Sequence, residues 1–129
     1  MHSITLPPDP MSAGLARQFV LSTLLDRVDD PSTVLLLTSE LVTNVVRHAA
    51  TDVTVRVQAG PPLRVEVQDG AAATEAFREM IALRPPDVPG SALGGRGLLL
   101  VHDLATRVGL DDAADHGKVV WFELADPRA

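Results

Sequence analysis

Residues 51–70 read TDVTVRVQAGPPLRVEVQDG, and the prediction of the fold starts from their pattern. Valine or leucine alternates with polar residues over 53–58 and again over 63–68, which is the pattern of strands with one buried face. The segment 60–62, Gly-Pro-Pro, predicts a turn between them. The two strands are therefore predicted to form a hairpin.

In the residues that precede the hairpin, the apolar side chains have helical spacing instead of this alternation. One helix is predicted from Ser12 to about Arg27, and a second from Pro31 to Ala49 with Asp30 as its N-cap. The second helix is the most apolar and is predicted to be largely buried. The first should present an apolar face formed by its large side chains, which are Leu15, Phe19, Leu21, Leu24 and Leu25.

The elements after the hairpin complete the fold prediction. They are a helix within 71–83, a loop over 84–97 with three prolines and four glycines, a helix over 98–105, and strands over 107–110 and 119–124. This order predicts an α+β fold, a two-layer α/β sandwich. Its sheet would be mostly antiparallel, with the helices packed on one face.

The chain of 129 residues has the length of one domain. Three prolines stand among its first ten residues, which suits an extended segment better than a helix or strand. The sequence therefore predicts a flexible N-terminal arm over 1–11 and a folded domain over 12–126.

Composition excludes several classes of protein. The chain has a formal net charge of −6 and so lacks the basic surface that binding of nucleic acids requires. No nucleic-acid partner is therefore expected. The absence of cysteine excludes disulfides, thiolate metal sites and cysteine nucleophiles. No apolar run approaches the roughly 18 residues that span a bilayer, and the start of the chain carries no export signal. We expect a cytoplasmic protein without a membrane partner.

Three polar residues interrupt the second helix. Glu40, Asn44 and His48 are spaced by four, so they share one side of the helix at the border of its apolar face. A carboxylate at this border is costly without a partner or a wet cavity, which indicates the wall of a polar pocket. A solvated polar stripe remains the alternative on spacing alone.

Two glycine-containing segments are candidates for ligand contact. Asp69 and Gly70 end the second strand of the hairpin, where glycine allows close approach of a ligand, although an isolated Asp-Gly is more often a plain turn. Residues 94–97, Gly-Gly-Arg-Gly, precede an apolar helix whose free N–H groups could bind phosphate. The segment lacks the Lys and Ser/Thr of a P-loop and the spacing of a dinucleotide fingerprint.

In this order the three motifs resemble those of the GHKL ATPases, which have the Bergerat fold. Residues 40–49 are similar to the N box, 65–70 to the first glycine box and 94–98 to the second. The short chain and its ending over 117–124, GKVVWFEL, are similar to the anti-sigma-factor serine kinase branch. The resemblance covers about residues 12–125.

The resemblance implies a Mg²⁺-ATP site. Glu40 matches the catalytic glutamate that orients and polarises the attacking hydroxyl or water. Asn44 matches the Mg²⁺ ligand, and Asp69 matches the carboxylate that accepts a hydrogen bond from the adenine amino group. The remaining matches to ATP-binding positions are Gly70, Gly95, Gly97 and Leu98, with Arg47 and Arg96 as candidate cations and Arg84 to Leu93 as the ATP lid.

The sequence departs from the family pattern at two positions. Ala71 follows Gly70 where the first glycine box has a second glycine nearby, and Val119 stands where much of the branch has threonine. Both changes are expected to weaken ATP binding, because one narrows the approach to the pocket and the other removes a hydroxyl beside Asp69.

The implied function is a serine/threonine protein kinase of the anti-sigma type. Such a protein binds Mg²⁺-ATP, sequesters a sigma factor and phosphorylates a serine on an antagonist protein, and the branch commonly forms homodimers. The alternative is a binding module, ATP-responsive or free of nucleotide, that regulates its partner without kinase activity. A detached catalytic domain of a sensor histidine kinase is disfavoured, because the chain has no room for the phosphoacceptor helices.

Overall fold

A computed structural model of the chain describes residues 1–84, 95–112 and 117–125. These ranges contain five strands in one antiparallel sheet of order β1-β2-β3-β5-β4. The strands are β1 (His2–Leu6), β2 (Val53–Gln58), β3 (Leu63–Asp69), β4 (Arg107–Asp112) and β5 (Lys118–Leu124). The α+β fold predicted from the sequence is confirmed, including the hairpin formed by β2 and β3.

The helices cover one face of this sheet. They are α1 (Ser12–Leu24), α2 (Ser32–Asn44), α3 (Glu75–Ala82) and α4 (Gly95–Leu104), with a 3₁₀ turn over Leu25–Arg27 and a π-helical turn over Val45–Ala49. Alternate strand residues such as Val55, Val65 and Phe122 are fully buried beneath them. The core is therefore a single layer of valine, leucine and phenylalanine between helices and sheet.

The first residues belong to the sheet, so the prediction of a free arm over 1–11 is wrong. His2 pairs with Val57 and Leu6 pairs with Val53, in continuous antiparallel register. The Leu6 side chain is 7% exposed and joins the core. The prolines stand after the strand, where they end it without removing any of its hydrogen bonds.

The buried face of α1 matches the predicted one only in part. Leu24 is buried and Phe19 packs against the core, as predicted, whereas Leu15, Leu21 and Leu25 are exposed. The other buried residues of the helix are Ser12, Ala16 and Val20. Small residues on the inner side allow α1 to lie close to α2, and Arg17 Nη1 donates to Ser39 Oγ at 2.7 Å across the pair. Close packing against α2 and the sheet determines which side of α1 faces the core, and it leaves the large leucines on the outside.

The face of the sheet opposite the helices carries a charged network. Glu66 accepts from Arg56 Nε and Arg64 Nε at 2.9 Å each, and Arg64 Nη1 reaches Glu123 at 2.9 Å. Burial alone would raise the pKa of Glu66, but the hydrogen bonds from the two arginines outweigh it and lower that pKa. The Trp121 ring lies under Arg64 with the guanidinium 4.1 Å from its centroid. This face of the sheet is therefore polar, in contrast to the apolar face under the helices.

Replacing Leu6 by alanine tests whether β1 is part of the folded domain. Because Leu6 is buried against the end of β2, Leu6→Ala should lower the free energy of unfolding by about 2 kcal/mol, as large-to-small core changes do. Ser3→Ala, at an exposed position of the same strand, is the control and should change it by less than about 0.5 kcal/mol. Urea denaturation measures both. Equal, negligible effects would mean that the segment is a free arm.

Candidate functional site

A cavity of about 350 Å³ opens between the end of α2, the adjoining ends of β3 and β5, and helices α3 and α4. Its volume lies in the range of small-molecule sites, roughly 300–1,000 Å³. Most of its wall is apolar, with Leu41, Val67, Phe77, Met80 and Leu98 among the lining residues. The polar side chains in the wall are those of Asn44, His48, Asp69, Thr74 and Lys118. An apolar cleft with a few polar groups is the usual form of a ligand pocket.

Asp69 lies at the base of this cavity and is 4% exposed. Its Oδ1 accepts from Lys118 Nζ at 3.0 Å and from the Ala71 N–H at 2.8 Å. Among the described residues, no donor reaches Oδ2. A buried carboxylate therefore keeps one oxygen available to a donor on a ligand.

Lys118 lines the same cavity, although the sequence analysis assigned it no role. Strand β5 pairs with β3 in a register that sets Lys118 directly opposite Asp69. The lysine is 8% exposed, and its Nζ also donates to the Ala71 carbonyl at 3.2 Å. The available signal was strand alternation, since Lys118 shares a face with Val120 and Phe122 and so points towards the core.

The chain matches the sequence profile of the histidine kinase-like ATPase domain over residues 6–124. It belongs to this family. The match runs from the end of β1 to the end of β5 and so contains every wall of the cavity. No curated protein sequence matches the chain. ATP is the ligand that the family implies.

The end of α2 forms one wall of the cavity. Asn44 is the last α-helical residue and lines the cavity, and its amide makes no hydrogen bond with a described residue. The following turn is π-helical and ends at Ala50, which has the left-handed φ of 53°. Turns of this kind are frequent at functional sites. The wider turn brings His48 to the edge of the cavity, whereas Arg47 is exposed and lies outside the lining.

Glu40 lies one turn before Asn44 and packs against the start of α4. It is half-buried, and a β-carbon built on the buried Gly97 would lie 2.7 Å from Glu40 Oε2. No real β-carbon is found so close to an oxygen, so Gly97 leaves the space that the Glu40 carboxylate occupies. The structure thus brings the predicted catalytic residue against the predicted phosphate-binding segment.

Gly117 and Gly70 both lie near Asp69, but only the first position requires glycine. Gly117 has a φ of 88°, and a β-carbon there would overlap the Asp69 carbonyl, so this position requires glycine for β5 to approach β3. Gly70 is exposed and lies outside the cavity lining. Its N–H donates to Thr51 Oγ1 at 2.9 Å, and a β-carbon would meet Thr51 only at an ordinary contact distance.

The prediction that Val119 weakens the contact beside Asp69 is wrong. Val119 pairs with Gln68 and lies on the opposite face of the sheet from Asp69 and Lys118. A hydroxyl at position 119 would therefore point away from the pocket, so its absence takes nothing from the contact beside Asp69. Ala71 and Ala72 line the cavity.

The remaining predicted residues lie at or beyond the N-terminus of α4. Gly95 begins the helix and Leu98 lines the cavity, while the Arg96 side chain and residues 85–94 lie outside the described residues. The predicted lid, Arg84 to Leu93, therefore also lies outside the described residues except for Arg84. Arg84 Nε forms an ion pair with Asp103 Oδ1 at 2.6 Å. Hydrogen bonds from Arg84 lower the pKa of Asp103.

No helix among the described residues has the length and apolarity to cross a membrane. In the same part of the chain, no group of three or more His, Cys, Asp or Glu side chains could hold a metal ion.

A double-mutant cycle tests the contact between Glu40 and Gly97. Alanine is a better helix former than glycine by about 1 kcal/mol, so Gly97→Ala should stabilise a Glu40→Ala protein. With Glu40 present, the new β-carbon must displace the Glu40 carboxylate. The stabilisation produced by Gly97→Ala should then be smaller by about 0.5 kcal/mol or more.

Urea denaturation of the four proteins measures the coupling. Gly14→Ala, in the first turn of α1, is the matched control and should show the same effect with or without Glu40. A coupling energy of zero between Glu40 and Gly97 would show that the two residues do not meet.

Proposed function

We propose that the chain binds Mg²⁺-ATP in the cavity beside Asp69 and acts as a serine/threonine protein kinase of the anti-sigma type. The observation that carries the proposal is the available oxygen of a buried Asp69 at the base of an apolar cleft. The adenine ring would lie among Leu41, Val67 and Leu98, and its 6-amino group would donate to Asp69 Oδ2. A carboxylate only accepts, which suits an amino group at that ring position.

Asn44 is the residue that fits a magnesium ion. Its side-chain carbonyl is a hard oxygen ligand, it lines the cavity, and it is not engaged by other described residues. Mg²⁺ keeps several waters and bridges phosphate oxygens, so one protein ligand suffices. The N-terminus of α4, ten residues long, would meet the phosphates with its free N–H groups and the positive end of its dipole.

Glu40 supplies the carboxylate that would assist phosphoryl transfer. It stands one turn before Asn44 and beside Gly97, between the proposed metal ligand and the proposed phosphate site. From there its carboxylate would orient a serine hydroxyl and accept the hydroxyl proton as the serine oxygen bonds to the γ-phosphorus. The bond between that phosphorus and the ADP oxygen breaks in the same transfer, and ADP leaves. Phosphoryl transfer depends mainly on position and charge, so these few groups are chemically sufficient.

The regulatory role is supported by resemblance. The ending GKVVWFEL over 117–124 is similar to the anti-sigma branch, whose members hold a sigma factor and phosphorylate an antagonist on serine, commonly as homodimers. The second candidate is a binding module that responds to ATP, or works without it, and transfers no phosphate. The alanines at 71 and 72 favour that candidate, because they reduce the space at the cavity wall.

Calorimetric titration with ATP, with and without Mg²⁺, tests the binding site. Asp69→Asn should weaken ATP at least tenfold, since a hydrogen bond to a charged group contributes about 1.5–3 kcal/mol. Asn44→Ala should remove the effect of Mg²⁺ on affinity. Asp111→Asn, at an exposed position of β4, is the control for charge and should bind as the natural chain does. Undiminished binding by Asp69→Asn would place the nucleotide elsewhere.

Label transfer from radioactive ATP separates the two candidate functions. With candidate antagonist proteins and Mg²⁺, the natural chain should label a serine, and Glu40→Gln should bind ATP but transfer no label. Transfer that persists in Glu40→Gln would remove Glu40 from catalysis. ATP binding without transfer to any antagonist that the chain binds would favour the binding module.

A further inference from the structure

Lys118 occupies an unusual position for an ammonium group. It is the only lysine of the chain, it is more than nine-tenths buried, and it lines a cavity whose wall is mostly apolar. A buried charge is costly unless it is paired and its hydrogens are satisfied. The pairing with Asp69 meets the first condition, and the hydrogen bonds of Lys118 show whether the second is met.

The hydrogen bonds of the pair leave one group free on each side. Lys118 Nζ has three hydrogens and donates to Asp69 Oδ1 and to the Ala71 carbonyl, so within the described residues one hydrogen has no acceptor. The Phe77 ring covers Nζ from one side at 5.3 Å. Asp69 Oδ2 is likewise without a donor there. The base of the cavity therefore presents an acceptor beside a donor.

This pattern is complementary to the edge of adenine. The 6-amino group is a donor, and the neighbouring ring nitrogen N1 is an acceptor. We propose that Lys118 is a base-reading residue, donating to N1 while Asp69 Oδ2 accepts from the 6-amino group. The inference rests on the proposed ATP site and deepens it, because recognition is assigned to the ion pair rather than to the carboxylate alone.

The backbone near the pair supports a fixed position for this donor. Ala71 is held by its N–H on Asp69 Oδ1 and by its carbonyl on Lys118 Nζ, so one residue is fastened to both members. The in-register pairing of β3 and β5 holds the two side chains opposite each other. A donor that is already in place loses little freedom when the base binds, which favours affinity.

The test compares ATP with 1-deaza-ATP, in which C–H replaces N1 and the 6-amino group remains. By calorimetry the natural chain should bind ATP about tenfold more tightly, as expected for one hydrogen bond from a charged donor. Lys118→Met should bind both nucleotides with equal affinity. Arg107→Met removes an exposed cation on β4 and should keep the natural preference.

A second measurement is independent of the folding of Lys118→Met. Because the chain has a single lysine, labelling with ¹⁵N at the lysine ammonium gives one NMR signal from the unaltered protein. ATP should shift this signal, and 1-deaza-ATP should shift it differently. Identical shifts, or equal affinities of the natural chain for the two nucleotides, would overturn the role of Lys118 and leave the ATP site standing. Failure to bind either nucleotide would overturn both proposals.

Discussion

The pairing of Asp69 with Lys118 is the interaction on which the site depends. It exists because β3 and β5 meet in one particular register, and because Gly117 lets the backbones come together beside the carboxylate. Without the lysine, the buried carboxylate would be an uncompensated charge in an apolar cleft. With it, the pair adds no net charge to the cavity, and the connection to α3 is fastened at Ala71. An acidic chain can in this way bury a carboxylate in the wall of an apolar cavity.

The parts of the fold that sequence predicted well are those governed by local periodicity. The hairpin of β2 and β3 alternates strictly, so its strands and its buried face could be read directly. The N-terminal strand could not, because three prolines outweigh five residues of weak alternation, and the partner of β1 lies far along the chain. The same limit explains α1, where large leucines suggested the inner face but the fit against α2 selected Ala16 and Val20.

The site shows the same division between local and long-range information. Asn44 and Glu40 were recognisable because helical spacing places them on one side of α2, and Asp69 because it ends a strand. Local alternation places Lys118 on the buried face of β5, but its position opposite Asp69 depends on the pairing of β3 with β5, which no local pattern encodes. The contact of Gly97 with Glu40 is equally non-local, since it requires α4 to lie across α2.

The position of β1 has a consequence for the order in which the chain can fold. During synthesis this strand leaves the ribosome well before its hydrogen-bonding partners, which are residues 53–57. Until β2 has followed, Leu6 has no core to enter and the strand has an unpaired edge on both sides. Helices α1 and α2 can form in the interval from local contacts alone. The sheet is therefore completed at this end only after the first two helices have been made.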